Sequence, residues 1–131
     1  MTTARDMVQS ADWKTEKHVP AIDAADTLKK GETLDISVTV GKEIAHPNTT
    51  EHYIAWIAVY FMAEGEKFPY QIAHTELYSH GASVQGANKS GVYTQPSVKL
   101  SLKSEKSGSI IAISYCNIHG LWESTKKLTV E

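Results

Sequence analysis

The sequence predicts an all-β chain folded as a sandwich or barrel of short strands. Three observations carry this expectation. Apolar residues recur mostly with a period of two, as on a half-buried pleated strand. The runs that are apolar on both faces are rich in aromatic and β-branched residues, which suit a pleated surface. Clusters of Gly, Ser, Asn and Lys separate the runs at the spacing typical of all-β domains.

Taken in chain order, the first thirty residues carry the weakest pattern, and "DAADTLKK" (23–30) is expected to form one helical turn. After "KKGE", "LDISVTV" sets Leu34, Ile36, Val38 and Val40 on one face and Asp35, Ser37 and Thr39 on the other. "YIAWIAVYF" (53–61) is apolar on both faces and reads as a central strand covered on both sides. "AEGEKFPY" (63–70) and "GASVQGANKSG" (81–91) read as loops. "VKLSLKS" again alternates, with Val98, Leu100 and Leu102 inward. Beyond "KSEKSGS", "SIIAISYC" (109–116) forms a second two-faced strand, and "KKLTV" (126–130) a last short one.

A chain of 131 residues with no repeat and no change in composition is expected to be a single domain, 1–131. That length buries about two-thirds of the unfolded surface without disulfide staples. A lone cysteine allows no internal disulfide and fits a reducing compartment. The opening residues lack the apolar core of a secretory signal, so a cytoplasmic location is expected. The longest apolar run, Tyr53 to Ala63, is too short to cross a bilayer as a helix, so no membrane partner is expected. A net charge of -2 gives no reason to expect nucleic acid.

The chemistry concentrates in histidines at strand ends. The six are His18, His46, His52, His74, His80 and His119, and Cys116 stands three residues before the last of them. A C-x-x-H step converges on one point if the chain turns at Asn117 and Gly120, and the turn aims backbone N–H groups at a thiolate. A buried cysteine acting as a small hydrophobe explains the same residue. In "HPNTTEHYI", His46 and His52 bracket a loop at the lip of the strand bearing Trp56, a way of presenting metal ligands from a rigid sheet. His74 and His80 have the same spacing, so the spacing alone is not diagnostic. His18 follows Glu16 and Lys17 and precedes Val19-Pro20, where proline favours an extended backbone. Four imidazoles with one thiolate do not suit a structural zinc site, which commonly uses four ligands and more than one cysteine. Five ligands suggest a square pyramid with one open position, where a substrate binds. The ligand types alone leave iron, copper and zinc open.

"EKHVP", "HPNTTEH" and "CNIHG", in that order, resemble the superoxide reductases, specifically their single-domain one-iron branch, the neelaredoxins. "SADWK", "HGASV" and "SGVYT" extend the resemblance across most of the chain, while one cysteine leaves no ligands for the four-cysteine iron domain of longer members. The resemblance implies an immunoglobulin-like β-sandwich of about seven strands, with the iron site at strand ends and loops. It implies one iron per chain, with His18, His46, His52 and His119 equatorial and Cys116 axial. Lys17 matches the lysine near the open position, and Glu16 the glutamate that occupies it in the oxidised resting state. The implied reaction is one-electron reduction of superoxide to hydrogen peroxide. The implied partners are a rubredoxin-like electron donor and further copies of the chain in a dimer or tetramer. His74 and His80 fall outside the pattern.

The nearest rival is a cupredoxin-like electron carrier, another β-sandwich with cysteine and histidines around its metal. "HGLWESTKK" lacks the methionine expected shortly after the last histidine, and two histidines would stay unexplained. A cysteine-histidine hydrolase leaves "HPNTTEH" without a role, and a binding module with incidental histidines predicts no bound metal.

Overall fold

The computed structural model describes residues 1–131. One helical turn, α1 (Ala4–Met7), precedes nine strands: β1 (Val8–Ser10), β2 (Pro20–Asp23), β3 (Thr27–Leu28), β4 (Leu34–Val40), β5 (Ile54–Ala63), β6 (Tyr70–Glu76), β7 (Ser97–Leu102), β8 (Gly108–Cys116) and β9 (Gly120–Val130). They form two sheets, one in the order β1-β9-β8-β5-β6 with β3 also on β9, the other in the order β2-β4-β7. The expected all-β sandwich is the fold observed. Its seven longer strands are joined by two short parallel ones, β1 and β3, which cover opposite ends of the free edge of β9.

The alternation in β4 is what seals the sandwich. Leu34, Ile36, Val38 and Val40 are buried while Asp35 is exposed. They share one core with Ile57, Val59 and Phe61 of β5, Ile110 and Ala112 of β8, Val98 and Leu128. The strand β5 lies between β8 and β6, as its two-faced apolarity predicts. Its outer face is only half covered, Trp56 lying stacked against His74 and Tyr115 of the neighbouring strands.

The departures from expectation have local causes. Residues 23–30 form no helical turn; Thr27 and Leu28 pair with Thr129 and Val130, and Leu28 is buried in the core. Burial and pairing outweigh the modest helix preference of "DAADTLKK". The strand β6 is polar and exposed at most positions, so its only reason to be extended is the ladder to β5. The strand β9 runs from Gly120, well before the expected Lys126, because it pairs with β8 along its whole length. No helix is long and apolar enough to cross a membrane.

Two registers set the position of the candidate ligands. Ile54 is opposite Cys116, and Cys116 is opposite Gly120. Pro20, two residues past His18, is opposite Val40, and β4 leads into the loop carrying His46. One end of the sandwich therefore gathers 18, 46, 52, 116 and 119.

Ile57 is fully buried between the sheets. Ile57→Ala should cost about 2–5 kcal/mol of stability, since a buried cavity adds to the lost transfer energy. Chemical denaturation would measure this; a loss near zero would mean that the sheets do not pack as described.

Candidate metal centre

Cys116 is the last residue of β8, and its side chain is wholly buried. The chain then turns through Gly120, whose φ of +81° favours glycine. The turn swings His119 back, its backbone N–H donating to Cys116 Sγ at 3.4 Å. Asn117 ties the turn to the start of β5: its Oδ1 accepts the Tyr53 N–H, and its Nδ2 donates to the Glu51 carbonyl. His52 is thereby held beside the sulfur, with Nε2 at 3.2 Å from Sγ. The His119 Nδ1 lies 3.3 Å from His52 Nε2 and 3.1 Å from His18 Nε2.

One ligand atom each from His18, His52, Cys116 and His119 falls within 4.8 Å of all the others. A single ion with bonds of about 2.1–2.3 Å separates adjacent ligand atoms by roughly 3 Å, so these spacings suit a shared metal. His46 lies beside this group, its ring centroid 4.9 Å from that of His18 and 4.7 Å from that of His52. The His46 Nδ1–H donates to the Pro47 carbonyl at 2.6 Å, and its buried Nε2 has no hydrogen-bond partner. A buried ring nitrogen with its lone pair free is costly to leave unmet, and a metal ion would satisfy it. Gly41 admits the His46 loop closely: a Cβ there would stand 2.6 Å from the His46 backbone nitrogen.

Glu16 sits on the other side of His18, at the ring nitrogen away from the cluster. The Asp12 carbonyl accepts the N–H groups of Thr15 and Glu16, and the turn presents the Glu16 carboxylate to His18. Glu16 Oε1 accepts from the His18 ring Nδ1 at 2.6 Å and from its backbone N–H at 3.0 Å. The carboxylate therefore fixes the His18 tautomer and leaves Nε2 free to ligate. It grips the ring nitrogen that does not face the other donors, and it is not among the four grouped ligands. Burial pushes the Glu16 carboxyl up, but hydrogen bonds from His18 and from the Lys17 backbone bring it below its ordinary value. Lys17 is half-buried, and its charge reaches His46 and His52.

Burial lowers His46 to about 4, offset in part by the Pro47 hydrogen bond and helped by the charges of His18, His52 and Lys17. His52 is lowered by burial, then by the charges of His119, His18 and Lys17. Both rings are thus kept neutral, the form that ligates a metal.

Trp122 is a supporting residue that the sequence reading did not single out. Its ring stacks on His18 at 5.0 Å and 15°, and its Nε1–H donates to the His119 carbonyl at 3.1 Å. Ser114, wholly buried, donates to the His18 carbonyl at 3.1 Å. Neither role has a sequence signal beyond proximity to "CNIH", because each depends on a partner about a hundred residues away or across the turn. His74 stacks on Trp56 on the outer face of the sheet, away from these donors, and His80 bonds to Asn48 and Leu77 instead.

A family model described as desulfoferrodoxin matches residues 10–125. Neelaredoxin of Megalodesulfovibrio gigas is 50% identical over 126 residues, covering 96% of this chain and 97% of the relative. Superoxide reductase of Pyrococcus furiosus is 53% identical over 117 residues, covering 89% of this chain and 92% of the relative. The solved structure of superoxide reductase (neelaredoxin) from Archaeoglobus fulgidus in the reduced form superposes with a TM-score of 0.87 at 54% identity. It covers 94% of this chain and 98% of that one.

A histidine lowered on folding lets the unfolded chain take up the proton first as pH falls. The stability that His46 contributes should be fully present above about pH 6.5 and drain away as the pH drops towards about 4 in metal-free protein, with His52 acting in the same direction. Urea midpoints measured across that window check this, and His46→Gln should flatten the dependence.

Proposed function

The chain belongs to the desulfoferrodoxin family, and from that premise we propose that it is a superoxide reductase. It converts superoxide, one electron and two protons to hydrogen peroxide, with His18, His46, His52, His119 and Cys116 as ligands of one iron per chain. The observation that carries this reading is the meeting of one thiol and three imidazoles from three separate segments, with a fourth imidazole left unpaired beside them. Bound there, iron supplies a one-electron ferrous–ferric couple that matches the single electron the reaction consumes.

The protein's own groups shape the rest. Cys116 is buried at the end of β8, and its sulfur accepts the His119 N–H, a contact that orients it as a ligand. A thiolate ligand donates electron density to iron, a lever familiar from cysteine-bound haem. His119 is exposed whereas His18 and His46 are buried, so approach to the centre is one-sided. Superoxide is an anion and the chain carries a net charge of -2, so local positive charge must draw it in. Lys17 is assigned that role. A unit charge about 6 Å from an anion, at an effective dielectric of about 20, is worth roughly 3 kcal/mol, an upper bound that salt reduces.

Glu16 is assigned a second role, as a carboxylate that would add to the ligands of the iron when it is oxidised. It is held by both hydrogen bonds to His18, so that role requires it to let go of them. The buried free thiol suits a reducing compartment, in keeping with a cytoplasmic location. Re-reduction is assigned to a rubredoxin-like carrier, because the chain has no second cysteine site to store an electron. Both sheets share one core, which supports reading 1–131 as one domain. Assembly as a dimer or tetramer is part of the same proposal, with the exposed rings of Tyr70, Tyr78 and Tyr93 available for contact.

Iron analysis combined with product measurement tests the proposal. One iron per chain and hydrogen peroxide formed without release of dioxygen are expected. Dioxygen release would indicate dismutation, and copper in place of iron would favour a cupredoxin-like carrier. Lys17→Met should slow the second-order reaction with superoxide about tenfold or more and weaken its dependence on ionic strength. An unchanged rate would remove Lys17 from this role.

A further inference from the structure

His80 is buried, though it lies outside the donor cluster. Its Nε2–H donates to the Leu77 carbonyl at 2.7 Å, and its Nδ1 is 2.8 Å from Asn48 Oδ1. Its ring stacks flat on Tyr53, the neighbour of His52, at 3.9 Å and 11°. Its backbone carbonyl accepts from Thr50 Oγ1 at 2.8 Å. Asn48 and Thr50 both belong to the loop between His46 and His52. His80 thus holds that loop at two points and stacks against its exit.

Asn88 completes the hold from the same segment. Its N–H donates to Thr50 Oγ1 at 3.0 Å, and its Oδ1 accepts the Thr50 N–H at 2.9 Å. Its Nδ2 donates to both Glu51 carboxylate oxygens, at 3.2 and 3.0 Å. It does this at a φ of 58°, a left-handed conformation that a residue other than glycine adopts at some cost. Within its own span, the ligand loop makes the Thr49–His52 hydrogen bonds and the His46–Pro47 one. Most of the side-chain hydrogen bonds that reach residues 48–51 from outside the loop come from the segment 80–88.

We infer that His80, backed by Asn88, is a positioning residue for the metal centre: it clamps the loop that carries two ligands and sets their rings without touching the ion. This rests on the metal-centre reading above but not on which metal is native. A clamp of this kind acts as the hydrogen-bond partners of metal ligands do, whose removal typically weakens metal binding about 10- to 100-fold.

Cobalt(II) is a suitable probe, since it takes nitrogen and sulfur ligands and reports thiolate ligation by absorption. His80→Phe keeps a ring to stack on Tyr53 but loses both ring hydrogen bonds. It should weaken cobalt(II) affinity about tenfold or more and shift the thiolate-to-cobalt band, while His80→Gln recovers part of both. Asn88→Gly accepts the backbone angle but removes the side-chain bonds, and it should move both readouts in the same direction even if His80→Phe does not fold. Phe61→Leu, at the opposite end of β5, serves as a control for lost stability and should leave both readouts unchanged. Wild-type affinity and band in His80→Phe and Asn88→Gly, or an equal loss in Phe61→Leu, would overturn the inference. Native protein that carries no iron yet binds cobalt(II) through Cys116 would overturn the iron assignment alone.

Discussion

In the β5–β8–β9 ladder, Ile54 is opposite Cys116 and Cys116 is opposite Gly120. Those pairings end one strand, β8, and begin two others, β5 and β9, at one level. The side chains just beyond them, from His52 and His119, meet the cysteine at the rim of a rigid sheet. A slip of one residue would turn Cys116 from the buried face to the outer face, because side chains alternate along a strand. The site therefore depends on register, and register depends on the inward set of Ile110, Ala112 and Ser114 staying in the core. The second sheet adds its part through the Pro20–Val40 pairing. The Ser114 hydroxyl to the His18 carbonyl, and the Ser124 hydroxyl to the Pro20 carbonyl, fasten the two sheets where His18 enters.

Electrostatics follow from that placement. His46 and His52 lose water at the rim and feel neighbouring charges, and both effects favour their neutral rings. The tautomers are chosen from outside: the Pro47 carbonyl takes the His46 Nδ1–H, and the Glu16 carboxylate takes that of His18. Each contact leaves the other nitrogen as a lone pair. His119 differs in presenting Nδ1 to the cluster, which the tight turn after Cys116 brings about. Trp122 spans two ligands at once, covering the His18 ring and holding the His119 carbonyl.

Much of this was legible beforehand because it was local. Alternation marked β4 and β7, two-faced apolarity marked β5 and β8, and Gly120 marked the turn after Cys116. The family resemblance pointed to His18, His46, His52, Cys116 and His119 as the candidate ligands, since short motifs keep residue type and order. The strands β3 and β6 were missed for a common reason: neither has a pattern of its own, and each is extended only because a partner pairs with it. His74 and His80 match the spacing of His46 and His52, yet one stacks on the outer face and the other clamps a loop.

Residue type, order and periodicity, written into the chain, determined an all-β fold and the chemical kind of its ligands. Tertiary structure alone decided which ring nitrogen each histidine presents, that Glu16 grips His18, and which distant loops hold the ligands in place. The loop contacts join segments some thirty or more residues apart. Even the near-neighbour contacts of His18 with Glu16 and His46 with Pro47 need the folded backbone to set their geometry. A one-dimensional pattern records which groups are available, but it does not record the angles and distances at which a folded sheet brings them together.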